Sequence, residues 1–234
     1  MTTWTLAAYA GIGIILSHLP VGPSLAAQAL DVHQRASAIP LPKPVATGVL
    51  SVESALHSRR SVRNFSPQSL TLAEVAQLLW AAQGVTGPGG TRTAPSAGAL
   101  DPLELYLVTG NVSALTKGVY RYQPIGHSLI LVADGDQRAA LAAAAPGQDW
   151  VNEAAAVIVV AAAHERTTRK YGQRGVRYVH IEAGHAAQNI HLQAVARNLG
   201  TAVVGAFDDD KVKKIVNLSS DEEPLCLLPI GRIT

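Results

Sequence analysis

The chain has 234 residues, a formal net charge of +2 and 48% hydrophobic residues. That length supports one large or two small domains with a sizeable core, and that apolar content excludes disorder over most of the chain. The single cysteine, Cys226, excludes an internal disulfide, a thiolate zinc site and an iron–sulfur site. The near-neutral balance offers no field for nucleic acid, so no nucleic-acid partner is expected.

Charge is absent until Asp31. Residues 1–29 hold an apolar run from Trp4 to Leu19, then Pro20, Pro23 and a small-residue Ala27-Gln28-Ala29 site. This pattern reads as a signal-peptide-like or membrane-anchor leader, short for a full span of about 20 residues and lacking a preceding Lys or Arg. An exported or membrane-anchored protein is the first expectation and a cytoplasmic one the alternative. Residues 30–49 carry Pro40, Pro42 and Pro44, which hold the chain extended as a linker or surface arm. The folded domain is expected over 50–234, one domain by size.

In chain order, a short helix is predicted over 52–59. Thr71-Leu72-Ala73-Glu74 is a capping box opening a helix that Gly84 stops. Residues 84–99 form a long Gly/Pro loop, of the kind that is usually functional. Strands are predicted over 103–108, 119–123, 129–133, 156–162 and 225–230, and a helix over 139–145. The longest helix is predicted over 177–199 with Gly200 as its stop. Its apolar face, Val179, Ala183, Ala186, Ala187, Ile190 and Ala194, is mostly alanine, which suits close packing and a subunit interface. The order of elements indicates an α+β or mixed α/β fold.

His180, His185 and His191 are separated by five and six residues, not the three or four that place two ligands on one helical face, and no H-E-x-x-H occurs. No metal site is expected. Cys226 sits in an apolar run and reads as a buried structural thiol. No G-x-S-x-G, P-loop or Rossmann fingerprint is present. The strongest local feature is Arg59-Arg60-Ser61-Val62-Arg63, whose guanidiniums and hydroxyl suit a phosphate or else form a solvated basic turn. The small-residue stretches 93–98 and 203–207 would let a flat ligand approach the main chain.

Nine segments in order carry a resemblance: LPKP, RRSVRNF, LTLAEVAQLLWAAQG, RTAPSAGALDPLELY, GQDWV, KYGQRGVRY, EAGHAAQNIHLQA, LGTAVVGAFDD and PLCLLPIG. Together they resemble the nitroreductase superfamily, in its SagB/ThcOx-type dehydrogenase branch. The resemblance implies an α+β fold with a mostly antiparallel central sheet flanked by helices. It also implies an intertwined homodimer with FMN at each subunit interface. Arg59, Arg60, Ser61 and Arg63 would hold the flavin phosphate and ribityl chain. Pro95, Ser96, Ala97, Gly98 and Ala99 would line the cofactor from the partner subunit. Gly205 and Ala206 would present backbone N–H groups near the reactive edge of the ring, where a donor stabilises added electrons. Gly231 and Arg232 would lie near the phosphate; Arg232 would replace a basic ligand that many relatives carry beyond this turn, and Ala99 replaces a polar residue. Lys170-Tyr171 matches a pair implicated in catalysis in azoline-oxidising relatives, where a base must take a proton. Adjacent residues reaching one substrate require a helix end or loop, for which Gly172 and Gly175 provide; two exposed side chains on a flexible segment are the alternative. The implied activity is hydride transfer with a small-molecule or modified-peptide substrate. NAD(P)H-driven reduction of nitroaromatics or quinones, and flavin binding without turnover, are the alternatives.

Overall fold

The computed structural model describes residues 38–234. The expected leader over 1–29, and residues 30–37 of the arm, lie outside the described residues. Among the described residues no helix is long and apolar enough to cross a membrane.

The strands are β1 (Ile39–Pro40), β2 (Phe65–Ser66), β3 (Leu103–Thr109), β4 (Gly118–Gln123), β5 (Ser128–Asp134), β6 (Ala156–Ala162), β7 (Leu199–Thr201) and β8 (Glu223–Ile233). They form one sheet in the order β1-β5-β4-β3-β6-β8-β2, with β7 also paired to β8. Every named strand pair is antiparallel. The helices are α1 (Val52–Ser58), α2 (Leu72–Gln83), α3 (Arg138–Ala144), α4 (Trp150–Glu153), α5 (Glu165–Tyr171), α6 (Arg174–Ala196) and α7 (Asp209–Ile215).

Strand periodicity divides the core. Leu103, Leu105 and Leu107 of β3 point to one face, with Ile158 and Val160 of β6, and meet α2 and α6. Tyr106, Val108, Val157, Val159 and Ala161 point to the other and meet α3 and α7. Because both faces are covered, β6 is the unbroken apolar run AVIVVAA, buried at all seven positions. The capping box of α2 is formed as expected, with the Glu74 carboxylate accepting the Thr71 N–H at 2.8 Å.

Two boundaries differ from expectation. The chain joins the sheet before residue 50, so part of the arm belongs to the fold: β1 pairs with β5, Leu41 is buried, and the Val45 N–H donates to Gln77 Oε1 at 2.8 Å. The long helix runs Arg174–Ala196 instead of 177–199, and Gly200 is not its stop. The left-handed residue after α6 is Asn198 (φ 54°), while Gly200 lies inside β7. It is glycine for a tertiary reason, since a Cβ there would sit 2.6 Å from Val62 Cγ1.

Candidate functional site

The alanine-rich face of α6 is buried at all six expected positions. Beside it, Ala183, Gly184 and Ala187 floor a cavity of about 540 Å³ that runs from His180 to His191. Its walls are Val203, Gly205 and Phe207 after β7, and Pro224, Leu225 and Cys226 of β8. Small residues on the helix keep this groove open, and a Cβ added at Gly184 or Gly205 would meet nothing within 4 Å. Val204 is fixed by two hydrogen bonds with Leu227, at 2.8 and 2.9 Å. Among the described residues no backbone acceptor takes the amides of Gly205 or Ala206. Burial pushes the Cys226 thiol up to about 12, which makes it an inert apolar wall. Burial, and then the nearby Arg59 charge, hold the His191 imidazole below its ordinary pKa and therefore neutral at pH 7.

The arginine segment lies at the His191 end. Arg59 caps α1 and is half-buried, whereas Arg60, Ser61 and Arg63 are exposed. The Val62 N–H donates to Thr201 O at 3.0 Å, and Val62 packs on Gly200. Phe65 lies over Gly231, where a Cβ would come within 2.8 Å of its ring. Val62 and Phe65 are therefore the anchors, and the polar residues between them face outward. Arg60 donates from Nη1 to the His57 and Arg59 carbonyls, both at 2.8 Å, so its fork is partly spent on the end of α1. The Arg63 guanidinium stands 5.7 Å over the Trp150 ring. Gly231 pairs with Gly200 in the β7–β8 ladder and is covered by Phe65; the structure places it in packing. Arg232 is engaged by Glu74, at 3.0 and 3.1 Å from its two carboxylate oxygens.

The remaining sequence-selected residues form a second group. Ala97–Ala99 is a single 3₁₀ turn in which Gly98 (φ 66°) and Ala99 (φ 53°) are left-handed, and Asp101 (φ 46°) follows. Pro95 and Ala99 are exposed beside it. A Cβ on Gly98 would stand 2.7 Å from Tyr171 Oη and 3.0 Å from Lys170 Nζ. Both side chains thus meet the turn over one bare backbone position. This is possible because they end α5, where Gly172 (φ 56°) reverses the chain. Lys170 Nζ lies 5.4 Å from the Tyr171 ring centroid, and Tyr171 packs edge-on against Tyr178 at 5.2 Å. A cavity of about 250 Å³ separates the Pro95–Ala97 segment from Tyr178, Ile181, Glu182 and His185 of α6.

Sequence reasoning missed Glu182. It is 2% exposed, one of its oxygens has no hydrogen-bond partner, and burial pushes its carboxyl up to about 7 against the Ser96 hydroxyl. The available signal was a charged residue set among the apolar positions of α6, where an unpaired carboxylate is rare.

The two groups lie on different faces of α6. At 100° per residue, the positions lining the larger cavity and those lining the smaller one are about 140° apart around the axis. The helix therefore stands between them within one protomer.

Residues 56–232 match the Nitroreductase family model. A protein of Methanocaldococcus jannaschii named as a nitroreductase is 45% identical over 183 residues, covering 78% of this chain and 91% of the relative. A crystal structure of a nitroreductase-type protein from Ralstonia eutropha superposes with a TM-score of 0.74 at 32% identity, over 85% of this chain and 90% of that one. A chain of the Escherichia coli microcin synthetase McbBCD complex, solved with truncated pro-MccB17 bound, has a TM-score of 0.65 at 25% identity, over 89% of this chain and 92% of that one. The chain belongs to the nitroreductase family, and its α+β fold with an antiparallel sheet flanked by helices is the nitroreductase fold. It is an oxidoreductase of that family.

Proposed function

We propose that the protein is an FMN-dependent dehydrogenase of the SagB type, working as a homodimer in which each site draws on both copies. The observation that carries this reading is the Lys170–Tyr171 pair closing over Gly98, on the opposite side of α6 from the Gly205 groove. A second copy that brings its own 95–99 turn to the groove would join the two groups.

The residues present fit the cofactor. The groove has a small-residue floor and bare backbone at Gly205, and among the described residues no backbone acceptor takes the Gly205 or Ala206 amide. Arg59, Ser61 and Arg63 would take the phosphate and ribityl end, with Arg60 contributing the part of its fork not spent on carbonyls. When bound, FMN supplies the hydride-accepting centre. The protein does the rest. The Gly205 and Ala206 amides would stabilise negative charge on a bound ring, and neutral His191 and the Cys226 wall would help keep water from it. Lys170 and Tyr171, brought to the ring by the second copy together with its 95–99 turn, would take the proton that the substrate releases. Gly231 and Arg232 serve this site indirectly, Gly231 by seating Phe65 and Arg232 by bracing Glu74.

The substrate class favoured by Lys170–Tyr171 is an azoline-type ring in a small organic molecule or modified peptide. The likeness to a chain of a microcin synthetase complex with pro-MccB17 bound supports that direction. Reduction of nitroaromatics or quinones by NAD(P)H is the second reading, favoured by the relatives named as nitroreductases. Anaerobic titration of the flavin-loaded protein with NADH, NADPH and azoline peptides separates the two. Bleaching by the azoline peptide alone supports the dehydrogenase, and bleaching by a nicotinamide with no azoline response refutes it.

A further inference from the structure

The 95–101 turn that the proposed function brings to the cofactor is held by a chain of polar side chains. Ser96 Oγ accepts the Asp101 N–H at 2.9 Å. The Asp101 carboxylate pairs with Arg92 Nε at 3.4 Å, and Arg92 Nη1 donates to Gln83 Oε1 at 2.7 Å. The Gln83 amide and the Ser96 hydroxyl both flank Glu182, which stands between the two ends of this chain of contacts. Asn189 ties the same stretch to α6 by donating to Thr93 O at 3.3 Å. These contacts sustain three consecutive-region left-handed residues, Gly98, Ala99 and Asp101, two of which carry a Cβ.

One link is incomplete. Glu182 Oε1 and Gln83 Nε2 are buried without partners, and they belong to neighbouring side chains. Glu182 is 2% exposed yet lines the 250 Å³ cavity beside Ser96. The charged and titratable groups around it are Arg92 and Asp101 from the turn side and Tyr178 and His185 from α6, while Lys170 and Tyr171 meet the same turn at Gly98. An unpartnered oxygen in such a setting is satisfied by a proton as readily as by a ligand.

We infer, on the footing of the proposed function, that Glu182 is a proton-linked positioning residue: it aims the Ser96 hydroxyl and takes up a proton when the site gains electrons. Ionised, its carboxylate accepts the Ser96 proton and turns that hydroxyl inward. Protonated, Glu182 donates to Ser96 Oγ, whose other lone pair already serves the Asp101 N–H, so the hydroxyl proton turns outward as a donor. Hydride transfer brings two electrons and one proton, which leaves the site with one added negative charge. A proton from water bound at Glu182 balances that charge. The hydride comes from the substrate being oxidised or from a nicotinamide donor.

The midpoint potential of the flavin-loaded protein, measured against pH in wild type and Glu182→Gln, tests this. Above pH 7 the wild-type slope should correspond to one more proton taken up per two electrons than in the variant, with both proteins holding flavin. Equal slopes with flavin bound overturn the inference and leave the proposed function intact. Wild-type protein that holds no flavin overturns both. If Glu182→Gln does not fold, infrared difference spectra of wild type labelled with ¹³C-Glu give the answer. Reduction at alkaline pH should raise a label-sensitive protonated-carboxyl band, and no such band overturns the inference.

Discussion

Replacing Glu182 with Gln should make the protein more heat-resistant in alkali and change it little in acid. The carboxyl is 2% exposed, and burial lifts its pKa from 4.5 to about 7. The folded state therefore binds a proton more tightly than the unfolded chain. The favourable contribution of the protonated form is complete below about pH 4.5 and is lost as pH rises through about 7. A displacement of that size corresponds to about 3 kcal/mol. Gln keeps the shape and removes the ionisation, so the variant does not suffer this loss. For a chain of this length that is a gain of about 6–12 °C in Tm on the alkaline side. The assay is thermal unfolding by circular dichroism from about pH 5 to about pH 8.5, read as the difference between the two proteins so that shared titrations such as that of His191 cancel. A Tm difference that grows through pH 7 is expected. Parallel curves, or a variant destabilised equally at every pH, would refute the assignment of a displaced pKa to Glu182.

Gly98→Ala places a Cβ at φ 66° and within 2.7 Å of Tyr171 Oη, so it should cost about 1–2 kcal/mol and displace the Lys170–Tyr171 pair. Denaturant unfolding and a fall in turnover larger than the fall in flavin affinity check this. Gly231→Val drives Phe65 off its seat and should cost about 1–3 kcal/mol while weakening FMN binding through the displaced 59–63 segment, measurable by flavin fluorescence. Lys170→Ala should keep flavin bound, with an unchanged spectrum, and lose azoline-dependent reduction; unchanged reduction rates would remove Lys170 from the proton-transfer step.

Local signals were readable where neighbours in sequence determine them. Thr71 and Glu74 announce the start of α2, and the alanine face of α6 announces its packing. The failures occur where distant segments meet. Gly200 looks like a helix stop because glycine commonly is one, but it is required by Val62, 138 positions earlier in the chain. That Gly231 seats Phe65 is likewise visible only in the fold. The RRSVRNF segment reads as a basic cluster, and only the fold shows that Val62 and Phe65 pin it while Arg60 turns back on α1. The chain of contacts at Glu182 draws on α2, the 92–101 loop and α6, so no window of sequence contains it. By contrast, Lys170 and Tyr171 do lie at a helix end, as adjacency on a helix of 3.6 residues per turn demands.

The central claim is that one flavin site takes its arginine segment from one copy and its 95–99 turn from the other. Co-expression of two differently tagged chains, one carrying Arg59→Ala with Arg63→Ala and the other Gly98→Val, isolates the mixed dimer through both tags. Each defective homodimer should purify without flavin, while the mixed dimer, with one intact site, should carry about one FMN per dimer. Mixed dimers as empty as the two parents, or a flavin-loaded monomer, would contradict it.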